Sequence, residues 1–122
     1  MKDSLQVGVK HRLTEQVTEA LSPPHLKPIV VLSTPNMILL MEMASLGAAQ
    51  PHLDDHETTV GTHVNVSHLS AARQGDQVVV DSQLIEINRR RLTFAVRVSV
   101  GDRLIGEGTH QRAVIDRSAF AT

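Results

Sequence analysis

The sequence predicts an α+β domain in which one long central helix is wrapped by a curved antiparallel sheet. Three observations carry that expectation. The stretch Val31–Ala49 is apolar around most of a helical cylinder, the mark of a helix buried on most of its sides. Nearly everything after Glu57 alternates with the two-residue period of strands. The order is strand, helix, then a run of strands, without the regular alternation that builds a parallel sheet. At 122 residues the chain can bury one core but not two, so residues 1–122 are read as a single domain.

Composition excludes several function classes. A formal net charge of −1 removes a global electrostatic attraction for nucleic acid. Phe94 and Phe120 are the only aromatic residues, with no Trp or Tyr, too few for a base-stacking surface. Apolar runs fall short of the roughly 20 residues a membrane span needs, and "MKDSLQVGVKHRL" lacks a signal-peptide core. The absence of cysteine excludes disulfides, a thiolate nucleophile and Cys-ligated metal, and makes a reducing cytoplasm the expected address.

Along the chain, Leu5, Val7, Val9, His11 and Leu13 alternate with polar residues or glycine and predict a first strand. "LSPPHLKP" (Leu21–Pro28) is a proline-rich loop. Thr34 followed by Pro35 reads as an N-cap with proline at the first helical position, and the helix ends near Gly47 or Pro51. "TTVGTHVNVSH" places Val60, Thr62, Val64, Val66 and His68 on one face of a strand. "QVVVDSQLIEI" is a second strand, with a shift in alternation at Asp81–Ser82 that predicts a bulge. In "RLTFAVRVSV", Leu92, Phe94, Val96, Val98 and Val100 face one way, with tight turns at Asn88–Arg90 and Gly101–Asp102. "RLIGEGTHQRAVID" closes an antiparallel meander of about four strands. Such a sheet keeps open edges, and edge-to-edge pairing into a homodimer, or a higher assembly, is expected.

Four residues are candidates for chemistry. Glu42 interrupts the apolar helix, and its neighbours three and four residues away offer no Lys or Arg. It is either a solvated surface carboxylate or a half-buried one suited to act as a base. His68 ends an apolar strand face, where a histidine is either a satisfied core residue or a proton carrier. Thr34 is explained by capping alone, yet its hydroxyl sits at the positive end of the helix. Thr34 and Glu42 are about 12 Å apart along the helix, so a site using both needs a second subunit. Gly61, inside a strand, is a packing accommodation or an exposed backbone N–H. The loop His52, Asp54, Asp55 and His56 has ligand types but no helical frame to aim them, so no metal is expected. Arg89–Arg91 reads as a solvated turn, though it could meet a phosphate.

"LSTPNMILLMEMAS", "TTVGTHVNVSHLSA" and "GTHQRAVID", in this order and spacing, resemble the hot-dog-fold acyl-CoA thioesterases, and within them the fluoroacetyl-CoA thioesterase-like group. The likeness runs from about Val7 to Phe120. It implies that the helix is the sausage and the sheet the bun, with active sites at a homodimer interface. It implies catalytic roles for Thr34, Glu42 and His68, and a substrate-binding role for the Gly61 amide at the thioester carbonyl. Glu42 would attack or activate water, Thr34 would orient, and His68 would carry the proton. Neither cofactor nor metal is implied beyond the CoA of the substrate, and no nucleic-acid or membrane partner. The sequence departs from the group where that enzyme carries an aromatic lid: "SPPHLKPIVVL" has no phenylalanine, and His25 and Pro28 stand near those places. The expectation is therefore hydrolysis of a short-chain or small acyl-CoA. Two rivals share the fold: a non-catalytic acyl-CoA-binding module, and an acyl-thioester hydratase or dehydratase.

Overall fold

The structure is a computed structural model that describes residues 1–120. Its principal elements are β1 (Lys10–Gln16), α1 (Thr34–Ala49), β2 (Glu57–His68), β3 (Gln77–Asn88), β4 (Arg91–Val100), β5 (Arg103–Asp116) and a short α2 (Arg117–Phe120). The strands form one sheet in the order β1-β3-β4-β5-β2, antiparallel throughout. The helix lies across one face, and the fold is the expected α+β arrangement of a long helix on a curved antiparallel sheet. Among the described residues no helix is long and apolar enough to cross a membrane.

The meander is shorter than expected. Only β3, β4 and β5 follow one another across the sheet, while β2 lies beyond β5 at the far edge. The chain returns from that edge through residues 69–76, which are tied to the segment before the helix. Leu32 N–H donates to the Ala72 carbonyl at 2.9 Å, and Gln74 N–H to the Val30 carbonyl at 3.1 Å. These bonds fix where α1 starts relative to the end of β2.

β4 follows its alternation: Leu92, Phe94, Val96 and Val98 are buried. They pack with Val78, Val80 and Leu84 of β3 and with Met37, Leu40, Met41, Ala44 and Ala48 of the helix in one core. Gly106 on β5 allows the helix to come close, since a Cβ there would collide with the Met37 side chain. The turns fall where expected, with Arg89 (φ 58°) and Gly101 (φ 56°) in the left-handed region.

Four local expectations are corrected. The first strand begins only at Lys10: Gly8 adopts φ 104° and breaks the alternation, and Val7 points to solvent while Leu5 is buried. β3 has no bulge at Asp81–Ser82; its register shift lies between Leu84 and Glu86. Ser82 looked out of place because it is a buried polar residue, satisfied by a 2.8 Å hydroxyl–hydroxyl hydrogen bond to Ser45. In β2 the register shifts between Gly61 and His63. Thr59 and Gly61 therefore share a face with Val64, Val66 and His68, and Val60 turns the other way. The helix, finally, is not enclosed all round, because Leu39 and Met43 are about half exposed (49% and 50%).

Candidate active site

Ser33, not Thr34, caps the helix. Ser33 has extended backbone and its Oγ accepts from Asn36 N–H at 3.2 Å, while Thr34 is the first helical residue. The Thr34 hydroxyl is thereby released from capping. It forms a 2.8 Å hydrogen bond with His68 Nδ1. His68 is the last residue of β2, in register with Gly106, so the tied crossover places this ring beside the helix start. The pair lies in the wall of a cavity of about 450 Å³, lined also by Pro23, His25, Leu26, Val31, Leu69 and Ala71. A hydroxyl bonded to an imidazole at the mouth of an apolar cavity is a unit that can orient an oxygen and exchange its proton.

Glu42 lies two turns further along the helix, with its side chain about one-third exposed (34%). It stands next to Gly61: a Cβ on that glycine would overlap Glu42 Oε1 and lie 3.2 Å from the His110 ring and 3.4 Å from Arg112 Nη1. Glu42 Oε1 is 3.7 Å from Arg112 Nη1 and 3.9 Å from His110 Nε2. The carboxylate thus has a cationic neighbour, supplied by β5 rather than by the helix itself. Arg112 is buried and itself held, donating from Nε to Thr59 Oγ1 at 2.7 Å and from Nη2 to the Thr59 carbonyl at 3.1 Å. Burial pulls the Arg112 guanidinium below its ordinary pKa, and Glu42 opposes that shift. Burial likewise lowers the pKa of His110.

Within one chain the structure joins Thr34 to His68 and Glu42 to Gly61, but it does not bring the two pairs together. His110 and Arg112 were missed as site residues. Their signal lies in "THQRAV", where two ionisable residues precede Val114 at alternate positions on an inward-facing strand. The other polar clusters are engaged elsewhere: His52 Nδ1 bonds Ser4 Oγ at 2.8 Å, and Asp54 pairs with the Met1 ammonium at 2.8 Å. Arg90 reaches buried Glu57 at 2.8 Å. Among the described residues no three His, Asp or Glu side chains are grouped to hold a metal.

Comparison with known proteins gives the family of the chain. Residues 13–118 match the family described as fluoroacetyl-CoA-specific thioesterase. The fluoroacetyl-CoA thioesterase of Streptantibioticus cattleyicolor is 34% identical, over 98% of this chain and 92% of that protein. A solved structure of the fluoroacetyl-CoA thioesterase superposes with a TM-score of 0.89 at 31% identity, covering 98% of this chain and 94% of the other. A mutant of that enzyme in complex with fluoroacetate and CoA gives 0.86 at 33% identity, over 95% and 99%. A thioesterase-superfamily protein of Thermus thermophilus, 23% identical over 98% and 90%, shares the fold with a TM-score of 0.88. The chain therefore belongs to the fluoroacetyl-CoA-specific thioesterase family, on a hot-dog thioesterase fold.

Proposed function

We propose that the protein hydrolyses a short-chain or small acyl-CoA to the free acid and CoA, as a homodimer whose two sites each take one half from each chain. The carrying observation is the Thr34–His68 hydrogen bond in the wall of the cavity, in a chain of this family. The dimer reading rests on β2. It is an edge strand with a continuous exposed run over residues 61–65, and the half-exposed Leu39 and Met43 lie on the helix that carries Glu42. Two such edges pairing antiparallel about a two-fold axis bring the His68 end of one β2 alongside the Gly61 end of the other. Each Thr34–His68 pair then faces a Glu42–Gly61 pair.

The chemistry follows from the groups. Attack on the thioester carbonyl places negative charge on its oxygen, which the Gly61 amide stabilises. Glu42 acts as the base that takes a proton from water, or as the nucleophile whose acyl anhydride a water then cleaves to the free acid. Thr34 orients the reacting oxygen, and as the C–S bond breaks the departing sulfur receives its proton from His68. No cofactor beyond the CoA of the substrate enters, and a cytoplasmic address belongs to the same reading. His25 and Leu26, rather than phenylalanine, line the cavity beside Thr34, so the reading is a small acyl group without a special preference for fluorine.

The test is thiol release from a panel of acyl-CoAs by wild type, Glu42→Ala and His68→Ala, alone and mixed. Each variant alone is expected to lose about 10²–10⁴-fold in kcat. After subunit exchange, the mixture recovers about a quarter of wild-type activity, because half of the dimers are mixed and each has one intact site. No recovery on mixing, despite demonstrated exchange, sinks the shared site. Thermal stabilisation by an acyl-CoA without turnover points instead to a binding module.

A further inference from the structure

We propose that His110 is a positioning residue of the carboxylate half-site: its ring holds Arg112 in the one orientation that keeps the guanidinium against Glu42 beside Gly61. This rests on the hydrolase reading for its kinetic consequence, and on geometry for the rest.

The ring is fully specified by its two partners. His110 Nδ1 is 2.8 Å from the His63 carbonyl, and a carbonyl only accepts, so Nδ1 carries the hydrogen. His110 Nε2 is 3.1 Å from Arg112 Nη1, and a guanidinium only donates, so Nε2 presents its lone pair. Only the neutral imidazole in its Nδ1–H form satisfies both. Protonation would set an N–H against an N–H of a buried cation. Burial, which disfavours the charged ring, works in the same direction, as does the charge of Arg112, while the His63 carbonyl and Glu42 oppose it.

Arg112 in turn has three of its nitrogens engaged: Nε and Nη2 on Thr59, and Nη1 on His110. That fixes the plane of the guanidinium and leaves Nη1 facing Glu42 Oε1 at 3.7 Å. The groups around His110 come from three elements: Glu42 from α1, the His63 backbone and side chain from β2, and Arg112 from its own strand. Phe94, opposite on β4, contributes no charge. The bulge in β2 completes the device, since the accepting carbonyl belongs to His63, the residue at which the register resumes. Positioning of this kind counts in catalysis because a reacting group displaced by about 1 Å can cost about 10²-fold in rate.

The experiment compares His110→Leu, which keeps bulk and loses both polar functions, with His110→Gln, whose amide can still accept from Arg112. It is done in the wild-type and Glu42→Ala backgrounds. In the Leu variant kcat is expected to fall about 10²-fold with KM little changed, and the Gln variant regains most of that loss. On Glu42→Ala, His110→Leu removes nothing further from the residual rate, because the effect runs through Glu42. Wild-type kcat in a folded His110→Leu enzyme, or the same loss with and without Glu42, overturns the proposal. Long-range ¹H–¹⁵N spectra of the wild-type imidazole are recorded alongside, expected to show a neutral Nδ1–H ring at pH 7. An Nε2–H or doubly protonated ring overturns it whether or not His110→Leu folds. That readout needs no turnover, so an enzyme that fails to hydrolyse any acyl-CoA defeats the hydrolase reading without being mistaken for a failure of this one.

Discussion

The two halves of the site are built by different physics. Thr34 and His68 meet through a single 2.8 Å hydrogen bond beside an open cavity, at the junction of a helix start and a strand end. Glu42 sits against a buried frame of Thr59, His110 and Arg112, in which the guanidinium makes three hydrogen bonds before it reaches the carboxylate at 3.7 Å. A buried cation needs such a frame, because an unsatisfied charge in low dielectric is costly. The dyad needs none, being partly solvated, and its geometry can adjust as a substrate enters. One half is tunable and the other rigid. Substitutions should therefore act gradually on the first and abruptly on the second.

The largest effect that would test this contrast is at the dyad's hydroxyl. Thr34→Val keeps shape and loses the oxygen, and is expected to lower kcat about 10²-fold or more, whereas Thr34→Ser stays within about tenfold. Equal losses in the two variants, measured by thiol release, would mean that the methyl group rather than the hydroxyl matters. On the rigid side Gly61→Ala is the sharpest probe, since its Cβ would overlap Glu42 Oε1. The carboxylate must move, and about 10²-fold in kcat/KM is expected to go with it. An alanine enzyme of wild-type activity would show the frame to be softer than its hydrogen bonds imply.

Ser33→Ala separates capping from catalysis. It should cost about 1 kcal/mol of stability in chemical denaturation and leave kcat within a few-fold, because Ser33 rather than Thr34 carries the cap. A last probe, on stability alone, concerns another carboxylate, useful as a contrast to Glu42. Glu57 is buried, and a hydrogen bond from the Met1 ammonium, with help from the Asp54 backbone and Arg90, holds its pKa down at about 2. Since the folded value lies below the ordinary 4.5, the stabilisation is fully present above that pH and is lost as pH falls toward 2. Thermal midpoints of Glu57→Gln should thus fall below wild type at neutral pH, and the gap should close on acidification. A gap that stays constant would deny the ion-pair account.

Most of the fold was legible because its signals are local. The period of β4, the turn at Gly101 and the bounds of the last strand follow from alternation and turn chemistry alone. What the residues concealed was non-local. The position of β2 depends on which edge it joins, a matter of tertiary packing that no window of sequence contains. Its bulge at Thr62 hides inside an unbroken alternation in which Val60, Thr62, Val64 and Val66 recur at every second position. Thr34 before Pro35 has the pattern of a cap followed by proline at the first helical position, but proline is equally at home one residue further in, and only backbone geometry shows that Ser33 carries the cap. Helical spacing offers Glu42 no partner, because Arg112 lies seventy positions away on β5. His110 and Arg112 were visible as residues but not as a device, since their function depends on which way β5 faces.

The bulge between Gly61 and His63 also says something about how this chain can change its length. A strand's sidedness is a parity: odd and even positions take opposite faces, and every single insertion or deletion exchanges them downstream. β2 contains one such exchange by construction, so Gly61 and His68, an odd number of residues apart, nevertheless look the same way. Removing Thr62 alone would not merely shorten the strand. It would leave a regular ladder in which Gly61 and His68 still share a face, but without the irregular turn of backbone that presents the His63 carbonyl to His110. Related chains should therefore tolerate length changes in the flanking loops or in pairs within β2, and resist the loss of this one residue.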